Sequence, residues 1–119
     1  ERIGLAARSG QPAASLTLPD RKRLEVARAL ATRPRLLLLD EVMAGMRPTE
    51  CDRMVEVFQA LSRDGLTILL IEHVMRAVMA LAQRVVVLNH GQIIANGTPA
   101  EVVRDAAVLE CYLGEEAEV

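Results

Sequence analysis

The sequence predicts an α/β fold with a mostly parallel sheet, flanking helices and a hairpin near the C-terminal end. Two apolar runs of strand length, residues 36–39 and 67–71, alternate with segments whose apolar residues recur at helical spacing. Neither run alternates apolar with polar residues, which is typical of parallel strands that are buried on both faces. A third apolar run, residues 85–88, is separated from a fourth, 92–95, by a turn containing His90 and Gly91, which indicates a hairpin.

Helices are predicted between and after these strands, and each has a local signal. The first runs from about Arg21 to Thr32, and a proline two residues later separates it from the first strand. The second follows Thr49, a plausible N-cap, and ends at Gly65. Its apolar residues recur every three or four positions, at Cys51, Met54, Val55, Phe58 and Leu61. A short helix follows the second strand, and a capping box with proline at the first helical position starts the last helix at residue 98. The order of elements indicates no domain boundary.

Composition excludes several classes of protein. The formal net charge is −2, so no overall positive field favours nucleic acid. No run of about 18 apolar residues is present to span a bilayer. The two cysteines, Cys51 and Cys111, stand far apart and have no metal-ligating partner at useful spacing, which suits a reducing compartment.

Polar residues of catalytic type follow the first two strands. Asp40 and Glu41 end the first, and Glu72 and His73 end the second. If these strands are parallel neighbours, both pairs meet at one edge of the sheet, where open α/β folds bind ligands. An acid at such a place can hold Mg²⁺ or orient an attacking water, and an imidazole can contact phosphate. The alternatives are a strand whose polar end only reaches solvent, and a His73 that bonds a nearby carbonyl.

Phosphate binding has two further signals, one present and one missing. The helix at about 21–32 has a basic N-terminal end, which could attract phosphate or could simply be a solvated surface. A phosphate-binding P-loop requires Gly-x-x-x-x-Gly-Lys followed by Ser or Thr, but the only lysine, Lys22, has no glycine near it. The chain therefore contains no P-loop, and any phosphate cradle belongs to other polypeptide.

Several motifs in order resemble those of the ATP-binding cassette ATPases. The segments that carry the resemblance are 23–30, 36–41, 44–48, 72–75, 89–91 and 97–101. The finer pattern is similar to the ATP-binding subunits of branched-chain amino acid importers. The resemblance covers nearly the whole chain and implies that residues 1–119 are the C-terminal part of the ATP-binding domain, with a P-loop NTPase-like fold that lacks the Walker A half.

The resemblance also implies roles for individual residues. Asp40 would hold Mg²⁺ through water, Glu41 would act as general base, and His73 would contact the γ-phosphate of ATP. Thr17 would contact ATP held by the opposite subunit. The implied function is ATP hydrolysis coupled to import of branched-chain amino acids or similar small solutes, and the chain alone would be inactive for lack of a P-loop.

The implied setting is an assembly on a membrane. The partners would be a second ATP-binding subunit and transmembrane permease subunits, with no nucleic acid. The place would be the cytoplasmic face of the plasma or inner membrane.

The signature segment, residues 16–20, departs from the family pattern of Leu-Ser-Gly-Gly-Gln. Leu18 and Pro19 replace the two glycines, and Asp20 replaces a neutral amide and would repel phosphate unless Arg21 or Lys22 screens it. Only Thr17 keeps the expected hydroxyl.

These departures, with Arg47 where the family's D-loop usually has aspartate, leave alternatives open. One is a non-catalytic half-domain that docks on an ATPase partner. Another is a DNA-repair cassette ATPase, which the acidic balance and the lack of coiled-coil heptads disfavour. In each case half a sheet is expected to expose an apolar face and to promote self-association.

Overall fold

A computed structural model describes the backbone of residues 2–117 and the side chains of residues 2–111. The chain divides into two compact units, one ending at Ala77 and the other beginning at Val78, a division that the order of elements did not indicate. Within the described residues, no helix is both long enough and apolar enough to cross a bilayer.

The first unit contains a two-stranded parallel sheet and its flanking helices. In chain order its elements are two 3₁₀ turns, Ala6–Arg8 and Ala13–Ser15, then α1 Leu18–Leu30, β1 Leu36–Asp40, α2 Pro48–Arg63 and β2 Thr67–Ile71; α3, Met75–Leu81, begins in this unit and ends in the next. The register pairs Leu36 with Thr67 and continues to Asp40 opposite Ile71. The predicted parallel arrangement is confirmed, and both strands end at the same edge of the sheet.

The core of the first unit lies under one face of this sheet. Leu37 and Leu39 are buried, and Phe58, Met43 and Met54 are its largest fully buried side chains. The buried residues of α2 are those at the predicted helical spacing: Cys51, Met54, Val55, Phe58 and Leu61. The amphipathic interpretation of this helix is confirmed, because its apolar stripe forms the core.

The opposite face of the sheet is uncovered in the described part of the chain. Leu36 and Leu38 are 52% and 65% exposed on β1, and Leu69 and Ile71 are 58% and 57% exposed on β2. Side chains two residues apart share a face of a strand, so these four form one apolar surface. The predicted exposed apolar face is confirmed.

Two helices begin elsewhere than predicted. Helix α1 begins at Leu18 rather than Arg21, because the Thr17 hydroxyl accepts a hydrogen bond from the backbone of Asp20 and proline is tolerated in a first turn. Thr49 is not the N-cap of α2. Pro48 occupies the first turn, Arg47 is the extended cap residue, and its N–H donates to the carboxylate of Glu50 at 2.9 Å. The predicted end of α2 is confirmed by Gly65, whose φ is +99°.

The second unit contains the predicted hairpin. Strands β3, Val85–Asn89, and β4, Gln92–Gly97, are antiparallel with a register shift at Val87/Leu88. His90 and Gly91 connect them with φ of 48° and 77°, as a two-residue type I′ turn requires. Two helices follow where one was predicted: α4, Pro99–Val103, and α5, Ala106–Ala117. The predicted cap is confirmed, since the hydroxyl of Thr98 accepts from the Glu101 backbone.

Candidate active site

The parallel pairing of β1 and β2 brings Glu41 and His73 together. Asp40, the last residue of β1, pairs with Ile71, and the next N–H, that of Glu41, donates to the Ile71 carbonyl at 2.8 Å. Nδ1 of His73 lies 3.5 Å from Oε1 of Glu41. Asp40 is exposed at the same strand end. A carboxylate and an imidazole predicted from separate strands thus share one edge of the sheet, with a second carboxylate at that edge.

The backbone of Glu41 is strained. Its φ is 49°, a left-handed conformation that is uncommon for a residue with a side chain. This turn directs the chain away from β1 at Glu41 while its N–H completes the hydrogen bonding to β2. Strain of this kind costs about 1 to 3 kcal/mol and clusters at functional sites.

The site is open to solvent. The side chains of Glu41 and His73 are 55% and 69% exposed. A contact this exposed between a carboxylate and an imidazole contributes about 1 kcal/mol or less to stability. Their proximity therefore does little for the fold, but it leaves both groups accessible to a ligand.

Glu72, for which the sequence predicts no role of its own, is the buried residue of this site. Its side chain is 0% exposed, although it lies beside the open site. Oε1 accepts a hydrogen bond from the backbone N–H of His73 at 3.1 Å and lies 3.6 Å from Nδ1 of the same residue. Oε2 is buried with no hydrogen-bond partner among the described residues. The signal that could have found it is its place between a buried strand and a histidine.

A depression of about 360 Å³ lies beside the site, between the loop after β1 and the start of α3. Its lining is mainly apolar, including Met43 and Met46, with His73 at one side. Asp52 and Arg76 form an ion pair of 2.8 Å at its border, which connects α2 to α3.

The Cys51 thiol also borders this depression. Burial raises its pKa above the ordinary value, and the carboxylates of Glu72, Asp52 and Glu50 raise it further, while Arg76 lowers it. Cys51 is therefore held as a neutral thiol, which suits a core residue and not a nucleophile.

The signature segment forms a second cluster. The Thr17 hydroxyl is engaged at the start of α1, where Asp20 N lies 3.4 Å away. The Asp20 carboxylate lies 3.0 Å from Nε of Arg8 and 4.0 Å from Nη1 of Arg23. Arg21 and Lys22, the two residues considered for screening it, contact other groups: Arg21 donates to the carbonyl of Ala14 at 2.6 Å, and Lys22 lies 3.9 Å from a Glu25 oxygen. Asp20 is neutralised from the N-terminal 3₁₀ turn and from its own helix.

Comparison with known proteins identifies relatives of this chain. Residues 92–118 match the family model described as "Branched-chain amino acid ATP-binding cassette transporter". The chain is 43% identical over 116 residues to the high-affinity branched-chain amino acid transport ATP-binding protein LivG of Salmonella typhimurium, and 40% identical over 116 residues to BraF of Pseudomonas aeruginosa. Each alignment covers 97% of this chain and 46% of the relative.

The solved structures agree. The ADP conformation of MJ1267, an ATP-binding cassette of an ABC transporter, matches with a TM-score of 0.86 and 31% identity, over 95% of this chain and 46% of that one. In sequence and in fold the chain is similar to the ATP-binding cassette proteins. It corresponds to the C-terminal part of their domain and spans about half the length of the curated relatives it matches. The predicted resemblance and the P-loop NTPase-like fold are confirmed.

The relatives are named as ATP-binding proteins. The question of a metal site concerns Mg²⁺, for which this chain offers carboxylate oxygens. No group of three His, Cys, Asp or Glu side chains that could hold a metal occurs among the described residues. Mg²⁺ ordinarily uses one or two carboxylates together with substrate phosphates and waters. A single exposed acid such as Asp40 therefore fits this ion, and does not fit an all-protein metal site.

Proposed function

We propose that this chain supplies the hydrolytic edge of the ATP-binding subunit of an importer for branched-chain amino acids or similar small solutes. The observation that carries the proposal is the 3.5 Å approach of His73 to Glu41 at the carboxyl edge of the parallel sheet. The names of LivG and BraF support the importer assignment.

In this proposal each residue has a distinct task toward ATP. Glu41 accepts a proton from the attacking water. At the same time the water oxygen bonds to the γ-phosphorus, and the bond between the γ-phosphorus and the β-phosphate oxygen breaks. His73 contacts the γ-phosphate. Asp40 holds Mg²⁺ through water, and the ion, when bound, neutralises charge on the phosphate oxygens. Thr17 contacts ATP held by a second ATP-binding subunit.

The proposal needs polypeptide that this chain does not contain. The P-loop is absent from the sequence, so the phosphates of ATP must be held elsewhere. The proposed assembly pairs two ATP-binding subunits with transmembrane permease subunits at the cytoplasmic face of the plasma or inner membrane. It involves no nucleic acid.

The test measures ATP turnover by the 119-residue chain and by a fusion that places the N-terminal half of LivG ahead of it. We expect no turnover by the chain alone and measurable turnover by the fusion. Glu41→Gln should abolish this turnover, because a carboxamide cannot accept the proton. Glu56→Gln, an exposed acid on α2, is the matched control and should leave it unchanged. Turnover by the isolated chain, or turnover that survives Glu41→Gln, would contradict the proposal.

A second function is favoured by the signature segment. Leu18 and Pro19 stand where glycines let a backbone approach phosphate, and Asp20 adds a carboxylate. A non-catalytic half-domain that docks on an ATPase partner would tolerate these residues. A fusion that binds ATP but does not hydrolyse it would favour this function over the first.

A further inference from the structure

The buried carboxylate of Glu72 lies directly beside the open pair of Glu41 and His73. Its side chain is 0% exposed, whereas those of Glu41 and His73 are more than half exposed. A carboxylate that loses water is costly to the fold unless hydrogen bonds replace that water. Here one bond comes from the backbone N–H of His73 at 3.1 Å, and Oε2 has no partner within the described region. A carboxylate held in this way contributes little to the stability of the fold, which points to a role at the site.

Glu72 touches His73 at two places. It accepts from the main chain of His73, which fixes where the residue leaves β2, and Oε1 lies 3.6 Å from the ring nitrogen Nδ1. Nδ1 also lies 3.5 Å from Oε1 of Glu41. The ring nitrogen therefore has two carboxylates within 3.6 Å, one buried and one exposed.

Two nearby carboxylates favour one form of the imidazole. The contacts of 3.5 and 3.6 Å are longer than hydrogen bonds, so the preference is electrostatic: ionised carboxylates attract a proton on the nitrogen beside them. In the neutral ring a proton is then favoured on Nδ1, which leaves Nε2 for a ligand. The buried carboxylate acts through a lower local dielectric and is screened by salt less than the exposed one.

We propose that Glu72 is a positioning residue that fixes the backbone of His73 and holds the proton of its neutral ring on Nδ1. The consequence for hydrolysis rests on the proposed function, but the placement of the proton does not. Glu72 touches neither phosphate nor water in this role and acts only through His73.

The test uses the ring nitrogens of the 119-residue chain, with no nucleotide. The chain has only two histidines, so His90→Asn assigns the ¹⁵N signals of His73. At about pH 8.5, where imidazoles are ordinarily neutral, the ring ¹⁵N shifts give the ratio of the two tautomers. We expect the Nδ1–H form to dominate, and Glu72→Gln to lower the ratio of Nδ1–H to Nε2–H roughly two- to fivefold, because it removes the buried charge.

Matched variants distinguish the effect of Glu72 on the tautomer ratio from the effect of removing any negative charge. Glu56→Gln should leave the ratio unchanged. The effect of Glu41→Gln should fade in about 0.5 M salt, whereas that of Glu72→Gln should persist. Glu72→Asp keeps the charge but withdraws it by one methylene, and should shift the ratio in the same direction by less.

Unchanged ring signals of His73 would overturn the proposal. If the ring signals of His73 are the same in the parent chain, Glu72→Gln and Glu72→Asp, then Glu72 does not act through this ring. That result would leave the ATPase proposal intact, because the fusion assay depends on Glu41. Conversely, an inactive fusion with the expected tautomer ratios would refute the proposed function and not the role of Glu72.

Discussion

Replacing Gly45 by alanine should destabilise the first unit by a predictable amount. Gly45 lies in the loop that joins β1 to α2, directly after the site residues, and its φ is +78°. A Cβ at this position would lie 3.1 Å from Cδ2 of Leu18, at the start of α1. The loop therefore depends on glycine for two reasons, a left-handed backbone and close contact with a neighbouring helix.

The two terms can be estimated separately. A left-handed conformation costs an alanine about 1 to 2 kcal/mol. The contact of 3.1 Å involves the far end of a side chain that is 45% exposed and can move, so it adds little to this cost. We expect a loss of about 1 to 2 kcal/mol in the free energy of unfolding, or roughly 3 to 10 °C in Tm for a chain of this size.

The assay is thermal and urea unfolding of Gly45→Ala against Gly10→Ala. Gly10 has no positive φ and no atom within 4 Å of its would-be Cβ, so its replacement should be neutral or slightly stabilising. Adding Leu18→Ala to Gly45→Ala removes the contact but not the backbone strain. If this second change restores the lost stability, the strain argument is refuted and the contact dominates.

The remaining predictions concern the apolar face and a thiol. Leu38→Lys, at the most exposed leucine of the uncovered sheet face, should reduce self-association measured by light scattering. Ser62→Lys adds the same charge elsewhere and should not reduce it. Equal self-association of the two variants would contradict the role of this face. The Cys51 thiol should be alkylated more slowly at pH 8 than Cys111, and Glu72→Gln should speed the alkylation of Cys51. Because folding raises the pKa of Cys51, the contribution of this thiol to stability is present below about pH 9 and is lost as pH rises through the raised pKa. A Cys51 as reactive as Cys111 would contradict this.

The elements that were predictable are those whose signals are local. The apolar spacing of α2 predicts its buried stripe, because a helix places residues three and four apart on one side. The hairpin follows from His90 and Gly91, since both positions of its turn need positive φ. The meeting of Glu41 with His73 follows from one assumption, that β1 and β2 are parallel neighbours, and the register bears it out.

The features that were missed depend on partners distant in sequence or on competition between local signals. Arg8, twelve residues before Asp20, neutralises that carboxylate, and no local pattern selects it over Arg21. Thr49 has the side chain of an N-cap, but Pro48 is better suited to the first turn and moves the start of the helix back. Capping preferences are worth about 1 kcal/mol, so a neighbouring residue can reverse them.

The site is positioned by its backbone, and this explains how it can be both ordered and exposed. Glu41 is fixed by its N–H on the Ile71 carbonyl, and His73 by its N–H on the Glu72 carboxylate. Neither contact uses the reactive end of the Glu41 or His73 side chain, and the exposed pair that these ends form adds about 1 kcal/mol or less. In the proposed function these groups are thus placed before ATP arrives and remain free to contact it. Changes to the tips of Glu41 and His73 should therefore affect chemistry more than folding, whereas changes to Gly45 should do the reverse.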